Sequence, residues 1–183
     1  MEYGITLPQQ VAQVRRGLPL LLDDADQQLT SLGREFFEDL YRELVANDEQ
    51  LREIEGRIKR VFVSTEPCRR LAEVEGVGPL IATAIVAAVG DPHAFKSGRQ
   101  LAAWLGLVLR QYSSGGKPVL LGITKRGDRY LRALLIHGAR AVVVRAAAKT
   151  DARSRWIANL QRRRGTNRAS VALANKNARI SGP

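Results

Sequence analysis

The sequence has very little cysteine, histidine or aromatic side chain. Cys68 is the only cysteine in 183 residues, which excludes a disulfide within the chain and a metal site built from several cysteines. His93 and His137 are the only histidines, too few for a zinc site based on histidine. The lack of disulfides fits a reducing compartment, so we expect a cytoplasmic protein.

Long apolar runs are also missing. The first apolar stretch, Leu18 to Leu22, is short and is followed by Asp23, Asp24 and Asp26. A signal peptide has a longer apolar region, and a membrane-spanning helix needs about 20 apolar residues. We therefore expect neither, and we do not expect a membrane partner.

Acidic side chains are scarce in the second part of the chain. The net charge is +11 overall, −4 over residues 1–60 and +15 over residues 61–183. After Glu75 the only acids are Asp91, Asp128 and Asp151, which are single and far apart. No carboxylate cluster of the kind that holds two catalytic metal ions is visible. A domain with this charge is expected to bind a polyanion, above all nucleic acid.

Residues 1–63 are predicted to form a helical arm. Residues 1–17 are expected to be irregular, and Leu18 to about Val63 to be helical. Apolar side chains spaced alternately three and four apart indicate a heptad seam, interrupted by one polar residue that typically fixes register in a coiled coil. An amphipathic helix packed on its own domain, or a break at Asn47–Asp48, is the alternative. The seam residues are Phe37, Leu40, Leu44, Asn47, Leu51, Ile54, Ile58 and Val61.

The break Ser64-Thr-Glu-Pro67 begins the second predicted domain, residues 64–183. Within residues 71–90, Gly76-Val77-Gly78 predicts a tight hairpin, and Pro79 suits the first position of the next helix. The stretch resembles a helix-hairpin-helix element, in which backbone N–H groups bind a DNA phosphate. Such elements also serve as scaffolding, so Gly76 and Gly78 are candidate DNA contacts or packing residues.

Further helices are expected at residues 97–105, 130–148, 153–164 and 169–180, giving a mainly α fold. The core face of the helix from Tyr130 is predicted to include apolar side chains along one side. These are Leu131, Leu134, Leu135, Ala141 and Val142. The run Arg162-Arg163-Arg164 favours contact with a nucleic-acid backbone over a merely solvated helix end.

Residues 110–124 are predicted to form a Gly-rich loop that presents a serine hydroxyl to a phosphodiester. Glycine lets the backbone approach a ligand closely, and lysine and arginine supply cations for a phosphate. Thr124 is predicted to cap a helix, with an anion at that helix N-terminus. A flexible, solvated basic loop is the alternative. The candidate phosphate-binding residues are Gly115, Gly116, Lys117, Lys125, Arg126 and Arg129.

These motifs, in this order, resemble the C-terminal half of bacterial insertion-sequence transposases of the 110/116/902 group. The resemblance covers nearly the whole chain. The motifs that carry it are Glu2-Tyr-Gly-Ile5 with Pro8, Leu18-Pro19, Asp24-Ala25, Gly76-Val-Gly78, Ala103-Trp-Leu-Gly106, Ser114-Gly115, Gly122-Ile-Thr-Lys-Arg-Gly127 and Leu131-Arg132.

The resemblance implies a function and a catalytic residue. Complete members are similar to two-part recombinases, with an N-terminal RuvC-like domain that bears four metal-binding carboxylates, a coiled coil for assembly and a C-terminal domain that supplies a nucleophilic serine. Carried over, that serine is Ser114, which would attack a DNA phosphate. The partners implied are the DNA of element ends and target, a structured guide RNA, and a second copy or a full-length relative bound through the coiled coil.

This chain departs from the family pattern because the carboxylate domain is missing. We therefore expect a truncated member that binds nucleic acid, associates with the nucleoid, holds no cofactor alone and does not cut DNA alone. Magnesium is expected only in the complete transposase. The alternatives are a binding module that inhibits a full-length relative, and a coiled-coil assembly protein with an incidental basic face.

Overall fold

The computed structural model describes residues 10–23, 29–114 and 117–182, and only the backbone at residues 92, 112–114 and 117–120. The described residues form eight α-helices and one two-stranded sheet, so the prediction of a mainly α fold is confirmed. The chain divides into two compact units, Met1–Arg57 and Ile58–Pro183. The predicted boundary after residue 63, drawn on composition, stays a prediction.

Two helices begin the chain, α1 at Val11–Asp23 and α2 at Ser31–Ser64. The expectation of one helix from Leu18 to about Val63 after an irregular arm to residue 17 is therefore wrong at its N-terminal end. Thr30 explains where α2 starts, because its Oγ1 accepts a hydrogen bond from the N–H of Gly33 at 3.1 Å, as an N-cap side chain does. No break occurs at Asn47–Asp48, since α2 runs through both residues.

None of the 34 residues of α2 is buried. Along the predicted seam, Leu51 is 57 % exposed and Val61 is 51 % exposed. The polar surface of α2 carries ion pairs one turn apart, among them Arg57 with Glu53 at 2.7 Å. Such exposed pairs contribute little to stability. The helix thus has an apolar face that the described side chains leave open to solvent.

Six further helices and the sheet follow. They are α3 at Glu66–Ala72, α4 at Pro79–Val89, α5 at Gly98–Trp104, β1 at Leu109–Ser114, β2 at Lys117–Ile123, α6 at Arg129–Arg145, α7 at Ala152–Arg164 and α8 at Thr166–Ile180. Short 3-10 turns occupy Pro92–Ala94 and Ala146–Ala148. As predicted, Pro79 is the first residue of its helix, where its missing N–H leaves no hydrogen bond unmade.

The core of the second unit lies between α6 and α8, against which α4, α5 and α7 pack. Leu135 and Leu173 are completely buried, and small residues such as Ala139 and Ala174 let the two helices approach closely. The predicted core face of α6 is right for Leu131, Leu135 and Val142. It is wrong for Ala141, which is exposed because 100° per residue carries it to the far side of the helix.

The stretch predicted as a Gly-rich loop over residues 110–124 is instead an antiparallel hairpin. β1 pairs with β2 from Leu109 opposite Ile123 to Ser114 opposite Lys117, with an irregularity between Leu109 and Gln111. The β-branched Val119 and Ile123 favour extended backbone in β2. Gly115 and Gly116 lie outside the described residues.

Candidate nucleic-acid interface

The segment that follows β2 is held by main-chain hydrogen bonds. The N–H of Thr124 donates to the carbonyl of Val108 at 2.8 Å, and the N–H of Lys125 donates to the carbonyl of Gly106 at 3.1 Å. Lys125 has φ 57°, the one positive value among the described residues other than glycine. These bonds fix the course of the basic segment, so its exposed side chains project from a defined backbone.

Two glycines let this segment cross the end of α5 at very short distance. A Cβ on Gly106, where φ is 69°, would lie 2.0 Å from the carbonyl oxygen of Arg126. A Cβ on Gly127, where φ is 96°, would lie 1.8 Å from the carbonyl oxygen of Trp104. Any other residue would both clash and strain the backbone at these positions. The Ala103–Gly106 and Gly122–Gly127 motifs therefore pack against each other where the two chain segments cross.

The N-cap of α6 is Asp128, and the prediction that Thr124 caps this helix is wrong. The Oδ1 of Asp128 accepts a hydrogen bond from the N–H of Leu131 at 2.8 Å. Lys125 and Arg126 consequently lie in the loop before the helix, and Arg129 is its first residue. Because the Asp128 carboxylate already places negative charge at this helix end, the sequence argument for an anion there loses its basis.

Ser114 lies at the other end of the hairpin from this basic segment. The register pairs Ser114 with Lys117 at the end of the ladder and Leu109 with Ile123 at its start. At about 3.3 Å per residue, five residues of strand span about 16 Å. The structure thus brings Ser114 beside Lys117, and it brings Lys125, Arg126 and Arg129 together at the base. The role of each as a site residue stays a prediction.

The two glycines of the turn between α3 and α4 have different surroundings. Gly76 has φ 92° and faces the backbone of Gly138 on α6, where a Cβ would lie 3.0 Å from the Gly138 carbonyl oxygen. Gly78 is exposed and has no atom within 4 Å of a Cβ position. Packing of helix against turn accounts for Gly76. Gly78 lies at the N-terminus of α4, which has no side-chain cap.

A polar cluster anchors the same turn to the rest of the domain. The carbonyl of Glu75 accepts hydrogen bonds from Asn177 at 2.9 Å and from Arg153 at 3.4 Å. The side chain of Glu75 pairs with Lys149. Asn177 is buried on α8 and Arg153 lies on α7, so the turn is tied to both helices. This anchoring gives the α3–α4 element a structural role whether or not it contacts DNA.

The three consecutive arginines, Arg162 to Arg164, form the last turn of α7 and are exposed. Gly165, with φ 77°, ends the helix. Cations at a helix C-terminus interact favourably with the macrodipole, so helix stability alone accounts for part of this pattern. The side chains remain available to a phosphate backbone.

A second basic surface lies between α7, α8 and the start of α5, and the sequence analysis did not single it out. An exposed cleft of about 760 Å³ holds Trp156 together with three exposed cations. The Nζ of Lys176 sits 4.5 Å from the centroid of the Trp156 ring. The sequence signal that points to this surface is Trp156, which follows Arg153 and Arg155 and precedes the Arg162–Arg164 run. The three exposed cations of the cleft are Arg99, Lys176 and Arg179.

The described residues show no group of three or more His, Cys, Asp or Glu side chains that would hold a metal ion. Burial raises the pKa of the Cys68 thiol, which keeps it protonated and unreactive. Within the described ranges, no helix combines the length and the apolar character needed to cross a bilayer.

Comparison with known proteins identifies relatives over most of the chain. The family described as "Transposase IS116/IS110/IS902 family" matches residues 68–155. The transposase for insertion sequence element IS1111A of Coxiella burnetii is 48 % identical over 179 residues, covering 98 % of this chain and 49 % of that protein. The probable family 20 transposase of Pseudomonas aeruginosa is 52 % identical over 146 residues, covering 80 % and 43 %.

A more distant relative extends the same pattern. The transposase for insertion sequence element IS1328 of Yersinia enterocolitica is 34 % identical over 181 residues, covering 99 % of this chain and 53 % of that protein. The chain spans about half the length of the curated relatives it matches. The matched region is the C-terminal part of these proteins.

Proposed function

Because the chain belongs to the transposase IS116/IS110/IS902 family, we propose that it is the DNA-binding C-terminal part of an insertion-sequence transposase. Its partners in the complete enzyme are the DNA of element ends and target, together with a structured guide RNA. Binding to chromosomal DNA places the protein at the nucleoid. The observation that carries the proposal is the basic segment from Lys125 to Arg129, whose backbone is held in place at the base of the hairpin that bears Ser114.

The basic segment binds DNA phosphates in this proposal. Lys125, Arg126 and Arg129 are exposed on a backbone fixed by the glycine crossing. A fixed backbone lowers the entropy lost when cations bind successive phosphates. Gly78, at the uncapped start of α4, and Arg162 to Arg164 extend the same backbone contact. Such contacts set position and affinity without reading sequence.

Ser114 supplies the nucleophile in the complete enzyme. The Oγ of Ser114 attacks a DNA phosphorus and forms a serine–phosphate ester, the bond from phosphorus to the adjoining deoxyribose oxygen breaks, and that oxygen takes the proton from the serine. One phosphate ester replaces another, so a DNA hydroxyl reverses the step and rejoins the strand. Magnesium in the proposal belongs to the carboxylate domain implied by the family resemblance, and no step on this chain uses it.

The nucleophile is tested with labelled element-end DNA, candidate guide RNA and magnesium on paired native and denaturing gels. The chain is assayed alone and with a full-length relative whose own serine is changed to alanine. A shift that survives denaturation only with the relative supports Ser114, and Ser114→Ala abolishes it. Ser113→Ala, the neighbouring serine, is the matched control and keeps the covalent product. Loss of the product in both variants, or in neither, contradicts the assignment.

A second candidate function rests on the exposed apolar face of α2. Ile54 and Leu51 are 45 % and 57 % exposed on a helix in which no residue is buried. A seam with heptad spacing is suited to pairing with the same helix of another copy or of a full-length relative. In this function the chain is an inert assembly partner. In the gel test above, binding of DNA on the native gel without any covalent product would leave a binding fragment, and no shift on either gel would favour the assembly function.

A further inference from the structure

We propose that Trp156 and the cations around it form a binding site for an unpaired nucleobase of single-stranded nucleic acid, separate from the hairpin that bears Ser114. The inference rests on the proposed function, because it adds a single-strand site to a nucleic-acid-binding chain. Only Ser97 to Arg99 of this cleft lie within the family match at residues 68–155.

Helix geometry places the indole at the surface. Ile157 and Asn177, the chain neighbours of Trp156 and Lys176, are buried. Successive helical residues point about 100° apart. Trp156 and Lys176 therefore face away from the core, at the surface where α7 packs beside α8. Trp156 is 37 % exposed, enough of a large aromatic surface for stacking with a flat ligand.

Close packing of the main chain brings the other cations to the same cleft. Gly98, at the start of α5, lies against the end of α8, where a Cβ would be 1.9 Å from the carbonyl oxygen of Arg179. This approach brings the main chains of Arg99 and Arg179 close together, and both residues line the cleft. The described side chains that line the cleft include no Asp or Glu. The cleft is therefore positively charged with an aromatic surface inside it.

Aromatic rings flanked by cations are the recognition pattern for unpaired bases, which stack on the ring while the cations follow the backbone. Lys176 now covers the indole ring through a cation–π contact at 4.5 Å. An exposed contact of that kind is weaker than a base stacked on an aromatic side chain. A base thus displaces the Lys176 ammonium from the ring, and the ammonium moves to the adjoining phosphate. Paired bases in a duplex cannot present this face.

The test compares four fluorescein-labelled probes by anisotropy: an oligothymidylate of about 16 nucleotides, an oligouridylate, an abasic strand of the same length and a duplex. Trp156→Ala is expected to weaken binding of the first two about tenfold while affinity for the abasic strand and the duplex is unchanged. Trp156→Phe keeps most of the affinity, and Trp156→Leu, which keeps an apolar side chain without an aromatic ring, does not.

Further measurements keep the test decisive if the alanine variant folds poorly. In a Trp104→Phe variant, where Trp156 is the one tryptophan left of two, unlabelled oligothymidylate should quench tryptophan fluorescence and the unlabelled abasic strand should not. Lys176→Gln should lower the dependence of single-strand affinity on salt, since one phosphate contact is lost. If Trp156→Ala loses more affinity for oligouridylate than for oligothymidylate, the site is assigned to RNA. The reverse order assigns it to DNA.

The base-stacking site is overturned if Trp156→Leu binds oligothymidylate as tightly as the wild type does. It is also overturned if Trp156→Ala loses as much affinity for the duplex as for oligothymidylate. Either result leaves the proposed function intact. A wild-type chain that binds neither the duplex nor any strand overturns both. A wild-type chain that binds the duplex and the abasic strand as tightly as oligothymidylate, with no tryptophan quenching in the Trp104→Phe variant, overturns the inference alone.

Discussion

Helix α2, most of which belongs to the first unit, and helix α8 of the second unit use an apolar face differently. In α8, residues such as Leu173, Ala174 and Ala178 are buried against α5, α6 and α7. In α2, which is more than twice as long, no residue is buried. Both helices are amphipathic, so the difference lies in the neighbours each one has within this chain. The apolar face of α8 is satisfied internally, whereas that of α2 has room for a partner.

The sign of the net charge changes close to the boundary between the two units. The acidic residues are concentrated in residues 1–60, with net charge −4, and the basic ones in residues 61–183, with net charge +15. Mixed charges around an open apolar face suit contact with another helix. A packed domain with an excess of cations suits a polyanion. We infer separate roles for the two units, assembly for the first and nucleic-acid binding for the second.

The strongest way to break the packed unit is the change Gly127→Ala. The new Cβ would lie 1.8 Å from the carbonyl oxygen of Trp104, at a φ of 96°. We expect the free energy of unfolding to fall by about 3–5 kcal/mol, measured by urea denaturation. Gly90→Ala is the matched control, because φ is 63° but nothing lies within 4 Å. Its expected loss is about 1–3 kcal/mol, from the unfavourable backbone conformation alone. Equal losses would contradict the close crossing.

Truncating one leucine in each unit, one buried and one exposed, sharpens the comparison. Leu173 is completely buried, so Leu173→Ala should lower the free energy of unfolding by about 2–5 kcal/mol. Leu51 is 57 % exposed, so Leu51→Ala should change the free energy of unfolding of a monomer by about 0.5 kcal/mol or less. Urea denaturation of dilute protein checks both. A large loss for Leu51→Ala would show that α2 packs within one chain.

The same position reports on assembly. Leu51→Glu places a charge on the apolar face and should weaken self-association at least about tenfold, as measured by sedimentation equilibrium. Arg52→Gln changes the net charge by the same amount beside the seam and should leave association unchanged. A wild-type chain that stays monomeric at every concentration would rule out pairing of two copies and leave only a partner of different sequence.

The smallest expected effect concerns pH and the packed unit. Hydrogen bonds from Ser154 lower the pKa of the Asp151 carboxyl, which caps α7 by accepting from the N–H of Ser154 at 2.9 Å. The folded pKa is below the unfolded one, so this stabilisation is present above the unfolded pKa and is lost as pH falls through the folded pKa. Asp151→Asn keeps the cap.

Urea denaturation from neutral to acidic pH checks this. The wild type should lose slightly more stability on acidification than Asp151→Asn. Identical pH profiles would show that the cap contributes no pH dependence. Because the side chain that caps α2 is the uncharged hydroxyl of Thr30, the effect should be confined to unfolding of the second unit.

Local chemistry made several elements predictable. Pro79 marked the start of α4, and helices were expected close to where α5, α6, α7 and α8 occur. Asp128 shows the limit of such reasoning. Thr124 and Asp128 are both acceptable N-caps in sequence, and the selection depends on the hydrogen bonds of Thr124 and Lys125 to Val108 and Gly106, which are remote in sequence. The hairpin was missed because neither strand alternates apolar and polar residues, the signal by which a half-buried strand is recognised in sequence.

The sequence by itself determined the family, the mainly α fold and the uneven charge, since each depends on residue types and on spacing along the chain. Tertiary structure alone decided that Gly127 must be glycine and that Ser114 and the Lys125–Arg129 cations lie at opposite ends of a hairpin. It also brought Arg99 beside Trp156 and Lys176. Strand pairing sets the separation along the hairpin. The glycine crossing and the cleft instead join segments far apart in the chain, and packing of helices such as α5 and α6 against α8 is the physical cause that brings such segments together.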